Sequence, residues 1–157
     1  MRMSTTYLDA HAALLAAAQA ALTSIVVLDG PALKDESALK RLWVGQDMDP
    51  QAYTAEGGNA PDPGTSGIIN IETFTIVCLS ESWSGGGDFT SLQADAFGVR
   101  STVGGLLRPD SAGRTLGVVA LSSAYLGAWQ LYRLNTSKGP YVGLSFRCEF
   151  VARPTVN

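Results

Sequence analysis

The sequence predicts an α+β domain in two layers, a mostly antiparallel or mixed sheet of about five strands covered on one face by two helices. Three observations lead there. Residues 141–153, YVGLSFRCEFVAR, place Val142, Leu144, Phe146, Cys148 and Phe150 at every second position, with Gly143, Ser145, Arg147 and Glu149 between them. Successive strand side chains point to opposite faces, so this spacing sets five apolar groups against a core and turns a polar face outward. Residues 68–80, IINIETFTIVCLS, alternate with apolar groups on both faces, the pattern of a central strand or of one covered at a subunit boundary. Two further segments, from Thr5 or Thr6 to Leu22 and from Phe89 to Leu106, repeat apolar residues at helical spacing instead.

Taken in order, TYLDAHAALLAAAQAAL combines strong helix formers with Leu8, Leu15 and Leu22 one heptad apart and His11 and Ala18 between them, which predicts one apolar stripe. Its many alanines allow close approach by a sheet or another subunit. The β-branched run Ile25 to Leu28 is a first strand, stopped by the turn Asp29-Gly30-Pro31. After a polar stretch with Lys34, Asp35 and Glu36, a second strand runs from Leu39 to Gly45, where Leu42 and Val44 alternate with Arg41 and Trp43. Residues 45–67 hold Pro50, Pro61 and Pro63, repeated glycine and no hydrophobic period, and are expected to form one long loop. That loop carries Asp47, Asp49, Glu56 and Asp62 with no Lys or Arg, a formal charge of −4. Loops longer than about 12 to 15 residues tend to be functional or disordered, so functional information is concentrated here.

The third strand, Ile68 to Ser80, leads through Glu81 to Gly87 into the second helix. Asp88 stands where it would cap the first turn, and Phe89, Leu92, Ala96, Val99, Val103 and Leu106 recur at steps of three and four. Pro109 should end it, and Gly98, Gly104 and Gly105 weaken it by about 1 kcal/mol each relative to alanine. Leu116 to Ser123 reads as the fourth strand, continued by Tyr125 to Leu134 after a bend at Gly127. The turn Asn135 to Pro140 then makes it the hairpin partner of the last strand. No internal repeat or domain linker divides the 157 residues.

Composition excludes several functions. With 46% hydrophobic and 16% charged residues the chain can build a core, and its net charge of −3 supplies no basic excess for broad contact with phosphate backbones. No stretch is apolar and long enough to span a bilayer, and the N-terminal segment reads as helix, not as an export signal. Cys78 and Cys148 sit in strand patterns as small buried hydrophobes rather than as a disulfide or metal pair. The sole histidine, His11, would have to anchor any His-dependent site, and no partner for it is evident in its helix. Gly85-Gly86-Gly87 lacks the Lys and Ser/Thr of a phosphate loop, and Asp88 puts negative charge where a phosphate would sit. Asp47 and Asp49 fall short of a calcium loop's ligand series. No catalytic residue, metal or cofactor is expected. Trp43, Trp83 and Trp129 read as core or interface anchors, because no basic residues are interleaved with them. The candidates for a subunit boundary are Trp43, Val77, Leu79, Trp129, Arg147 and Glu149. Arg147 and Glu149 share one strand face, where they either pair or meet water.

The order of elements resembles the tail terminator proteins of long-tailed bacteriophages, particularly those of actinobacteria. The resemblance lies in the helix followed by Val27-Leu28-Asp29-Gly30-Pro31, in Leu42-Trp43-Val44-Gly45 before an acidic Gly/Pro loop, in Phe74-Thr75-Ile76-Val77-Cys78 with Trp83-Ser84-Gly85, and in Gly143-Leu144-Ser145-Phe146-Arg147-Cys148 with Arg153 near its end. It covers nearly the whole chain, in pattern and order rather than in any single diagnostic motif. It implies a non-enzymatic virion protein at the head–tail junction, assembled in the host cytoplasm. It also implies a hexameric ring, with the tail tube protein on one side and a head–tail connector or stopper protein on the other. DNA would pass through without specific binding, and Asp47, Asp49, Glu56 and Asp62 would line the channel or face the neighbouring ring. Two alternatives stay open: another piece of the same machine, either a connector or a tube subunit, and a small-ligand module or enzyme using the loop Gly85 to Asp88.

Overall fold

The structure, a computed structural model, describes residues 6–30, 40–49, 54–61, 70–83 and 88–153. The elements run α1 (Tyr7–Ala21), β1 (Val26–Asp29), β2 (Lys40–Val44), β3 (Ala55–Pro61), β4 (Asn70–Trp83), α2 (Phe89–Leu106), β5 (Leu121–Thr136) and β6 (Gly139–Ala152). They form the expected α+β fold, with one mixed six-stranded sheet ordered β1-β2-β4-β6-β5 and β3 joined to β4. Among the described residues only the β1–β2 pair is parallel. β4 is 14 residues long and takes two partners on one edge: β2 against residues 78–82 and β3 against residues 70–76.

β6 sits between β4 and β5 and does what its alternation requires. Val142, Leu144, Phe146, Cys148 and Phe150 are all 0 or 1% exposed and face the helices, each large side chain adding about 1.5 to 3 kcal/mol of apolar burial. From β4, Phe74, Ile76 and Cys78 complete this layer, with Phe74 stacked on Phe150 at 5.0 Å between ring centroids. From α2, Leu92, Ala96 and Val103 close over it. Asp88 caps α2 as its position predicts, its Oδ1 accepting from the Ser91 N–H at 2.8 Å.

In α1 the buried face is Ala10, Leu14 and Ala18, not the heptad of leucines. Leu15 and Leu22 pack at the flank of the core, while Leu8 is 66% exposed. The two small alanines let the helix lie close to the sheet, so they take the face that leucine was expected to hold. The expected loop over residues 45–67 is also corrected, because β3 lies within it. AEGGNAP has neither apolar period nor strand propensity, and its order comes from the backbone ladder against β4. A Cβ at Gly57 would meet the Phe74 Cβ at 2.7 Å, so only glycine permits that approach. The strand expected from Leu116 starts at Leu121 instead. Leu116 has φ of 55° within a tight turn closed by the Thr115–Val118 bridge.

Candidate functional site

The outward face of the sheet is not simply polar surface. Between β4 and β6, Tyr141, Gly143 and Ser145 are buried, because residues 46–48 fold back over them. At the centre Glu81 accepts three hydrogen bonds: from Arg41 Nε at 2.7 Å, Trp43 Nε1 at 2.6 Å and the Tyr141 hydroxyl at 2.7 Å. The Arg41 guanidinium lies 4.5 Å from the centroid of Trp83, and Trp83 packs on Tyr141 at 4.6 Å. Beside this group Asp47 accepts from the Ser145 hydroxyl at 2.9 Å and from the Met48 N–H at 2.6 Å. Burial and the neighbouring Glu81 carboxylate push the Tyr141 phenol far above its ordinary range. The cluster is a satisfied second core. Both carboxylate oxygens of Glu81 are engaged, so removing either partner would leave a buried charge uncompensated.

This core decides where the expected boundary residues stand. Trp43, Val77 and Leu79 are 5%, 1% and 2% exposed and lie inside the chain. Arg147 and Glu149 are half-buried lower on the same face, and Glu149 accepts from the Thr75 hydroxyl. Trp129 is different: it is 49% exposed on β5. The acidic residues are likewise divided. Asp47 faces inward at 7% exposure, Asp49 is exposed before β3, Glu56 is exposed on β3, and Asp62 lies outside the described residues.

His11 has partners that its own helix could not reveal. Its Nε2 is 2.7 Å from Asp29 Oδ1, and its Nδ1 is 3.3 Å from the Tyr7 hydroxyl. The order Asp, His, hydroxyl resembles a proton relay, and burial and the nearby Asp29 charge raise the Tyr7 phenol. The imidazole ties α1 to the end of β1 and fills the space over Gly45, where a Cβ would meet His11 Cε1 at 2.9 Å. Cys148 is also held as a thiol, raised by its hydrogen bond with Cys78 and by burial. Among the described residues no group of three or more His, Cys, Asp or Glu could hold a metal. A cavity of about 410 Å³ lies between the connection from α1 to β1, β2, β4 and α2, with Ser80, Ser82, Ile25 and Val99 in its lining. The Lys40–Asp95 ion pair at 2.7 Å forms part of its wall. The Gly85-Gly86-Gly87 stretch lies outside the described residues.

β5 is the element with unmet surface. It stands at the end of the strand order, so its outer edge has no partner among the described residues. Tyr125 is 57% exposed, and Trp129 and Leu134 are each 49% exposed. A register shift between Leu126 and Trp129 marks a bulge, which Arg100 of α2 holds by donating to the Gly127 carbonyl at 3.0 Å. Gly127 is required there, since a Cβ would lie 2.8 Å from Glu149 Oε1. Beyond the bulge Trp129 meets Phe97 edge to face at 5.0 Å. Bulges re-aim side chains and twist strand edges, and the sequence signalled this one only through Gly127.

No protein-family model matches the chain, and no curated protein matches it. Among solved structures the chain is similar to a component of "Virion of native gene transfer agent (GTA) particle", with a TM-score of 0.52 and 16% sequence identity. The likeness covers 90% of this chain and 94% of that one. At that identity what is shared is the fold.

Proposed function

We propose that this chain is a structural virion protein, and specifically a tail terminator: a subunit of a hexameric ring that caps the tail tube and joins it to the head-completion proteins. The observation that carries the reading is the shared fold with a chain of a phage-like virion particle, over nearly the full length of both. The surface supports it. An exposed 16-residue edge strand with Tyr125, Trp129 and Leu134 on it is an aggregation hazard in a free monomer and an asset in a subunit. In the ring Trp129 lies at the subunit boundary, with Arg147 and Glu149 on the adjoining face. Asp49 and Asp62 carry negative charge into the channel or toward the next ring, where they repel DNA and let it pass without sticking.

Light scattering across a dilution series, with negative-stain images of the same sample, tests the proposal. A discrete ring that does not stack supports a terminator. Long stacks indicate a tube subunit. A monomer that also fails to bind added tail tubes overturns the assignment.

A further inference from the structure

The sheet is electrically lopsided. Residues 26–83, which supply β1 to β4, carry nine carboxylates against three Lys or Arg, a formal charge of −6. Residues 88–153, which supply α2, β5 and β6, carry seven Lys or Arg against four carboxylates, a formal charge of +3. The described residues of 26–83 keep the excess, six carboxylates against two Lys or Arg, and the topology gives it a place, since β1 and β3 stand on one side of the strand order and β5 closes the other. A connectivity that interleaved the two halves would have averaged the charges out.

The charged groups at the two edges differ accordingly. Asp29 at the end of β1 and Glu56 on β3 are exposed, and so are Arg133 on β5 and Lys138 in the hairpin turn. On the acidic side two cations are already engaged, Arg41 with Glu81 and Lys40 with Asp95. Arg133 lies over the Phe89 ring at 5.5 Å, a contact that orients the guanidinium without neutralising it. Between Arg133 and the start of β5 lie the exposed side chains of Trp129 and Tyr125.

This distribution selects a symmetry. A two-fold dimer built on either edge would set basic edge on basic edge or acidic edge on acidic edge, and like charges across an interface cost several kcal/mol. Only a head-to-tail contact brings the edges together with opposite signs, and such heterologous contacts close into rings when the rotation permits. We propose that copies of this chain associate head to tail, the β5 edge of one copy against the β1/β3 edge of the next. Arg133 and Lys138 meet Asp29 and Glu56, with Trp129 flanking the contact on the helix side of the sheet and Tyr125 and Leu134 on the other side. This inference rests on the ring reading and places Glu56 at the subunit contact, not in the channel.

Charge reversal tests it on the full chain by analytical ultracentrifugation, with circular dichroism showing that each variant is folded. Arg133→Glu with Lys138→Glu makes both edges acidic, and Asp29→Lys with Glu56→Lys makes both basic, with His11→Asn as the control for loss of the His11–Asp29 contact at 2.7 Å. Each variant alone should weaken self-association by about a hundredfold. An equimolar mixture of the two should assemble again, as should a chain carrying all four substitutions. Raising sodium chloride from about 50 to about 500 mM should weaken the wild-type contact, because rim charges are screened. A wild-type ring that tolerates both reversals overturns this inference and leaves the ring reading standing, and so does failure of the folded mixture to reassemble. A wild-type chain that stays monomeric at every concentration and salt, and that also fails to bind added tail tubes, overturns both.

Discussion

Replacing Glu81 with leucine should destabilise the fold by about 4 kcal/mol. The magnitude follows from what the carboxylate holds. Arg41 and Glu81 side chains are 14% and 10% exposed, so solvent screens the pair weakly. Breaking a buried pair by removing one partner costs about 3 to 5 kcal/mol, because the remaining charge stays desolvated. Trp43 Nε1 and the Tyr141 hydroxyl lose the same acceptor. Their losses overlap with that of Arg41 and do not add in full. For a chain of this size about 4 kcal/mol corresponds to a melting temperature lowered by roughly 10 °C. The informative partner is Arg41→Met combined with Glu81→Leu, which removes both charges and leaves only the neutral donors unpaired. That double variant should lie closer to wild type than Glu81→Leu alone, by about 2 kcal/mol. Urea unfolding of wild type, Arg41→Met, Glu81→Leu and the double variant measures both quantities. A Glu81→Leu variant within about 1 kcal/mol of wild type would refute the claim that this cluster is a second core. A double variant as unstable as the sum of its parts would refute the coupling.

Tyr141 gives the fold an alkaline limit. Its folded-state pKa is raised above the unfolded value, chiefly by burial and then by Glu81. Its contribution is therefore complete below the unfolded pKa of about 10 and declines as pH climbs beyond it. Tyr141→Phe should flatten the fall in melting temperature above that pH, with Tyr7, raised in the same direction, leaving a residual slope. Helix α2 offers a gain, since a Cβ at Gly98 or Gly105 meets nothing within 4 Å and alanine at either should stabilise by up to about 1 kcal/mol in denaturant melts. Gly45→Ala should do the reverse, because φ is +88° and His11 Cε1 would stand 2.9 Å from the new methyl. Asp49→Asn with Asp62→Asn should leave ring formation intact and slow genome delivery in an infection time course. Unchanged delivery would remove the channel role from these two residues.

The parts of this fold legible in the sequence are those where neighbouring residues decide. Alternation at 142–150 located β6 and its buried face, and the three-four spacing from Phe89 located α2 together with the Asp88 cap. What was not legible depends on residues brought together by register. Glu81 reads as a polar residue near a strand end until β2 pairs Arg41 opposite it and β6 places Gly143 on its other side. A Cβ at Gly143 would lie 2.6 Å from the Tyr141 hydroxyl, so that glycine keeps the donor in reach of Glu81. The same holds for β3, whose residues lack strand character and are ordered by β4.

The candidate surface divides along the same line. Aromatic identity nominated Trp43 and Trp129 equally, and the fold buries Trp43 against Glu81 while Trp129, beyond the bulge, stays half exposed. The charge of each half could be counted from the sequence, yet its meaning depends on strand order. Because β4 and β6 meet at the centre of the sheet, the N-terminal half spreads to one edge and the C-terminal half to the other. A chain with the same composition and β5 inserted beside β1 would carry no such polarity and would have no electrostatic preference for a head-to-tail contact over a two-fold one.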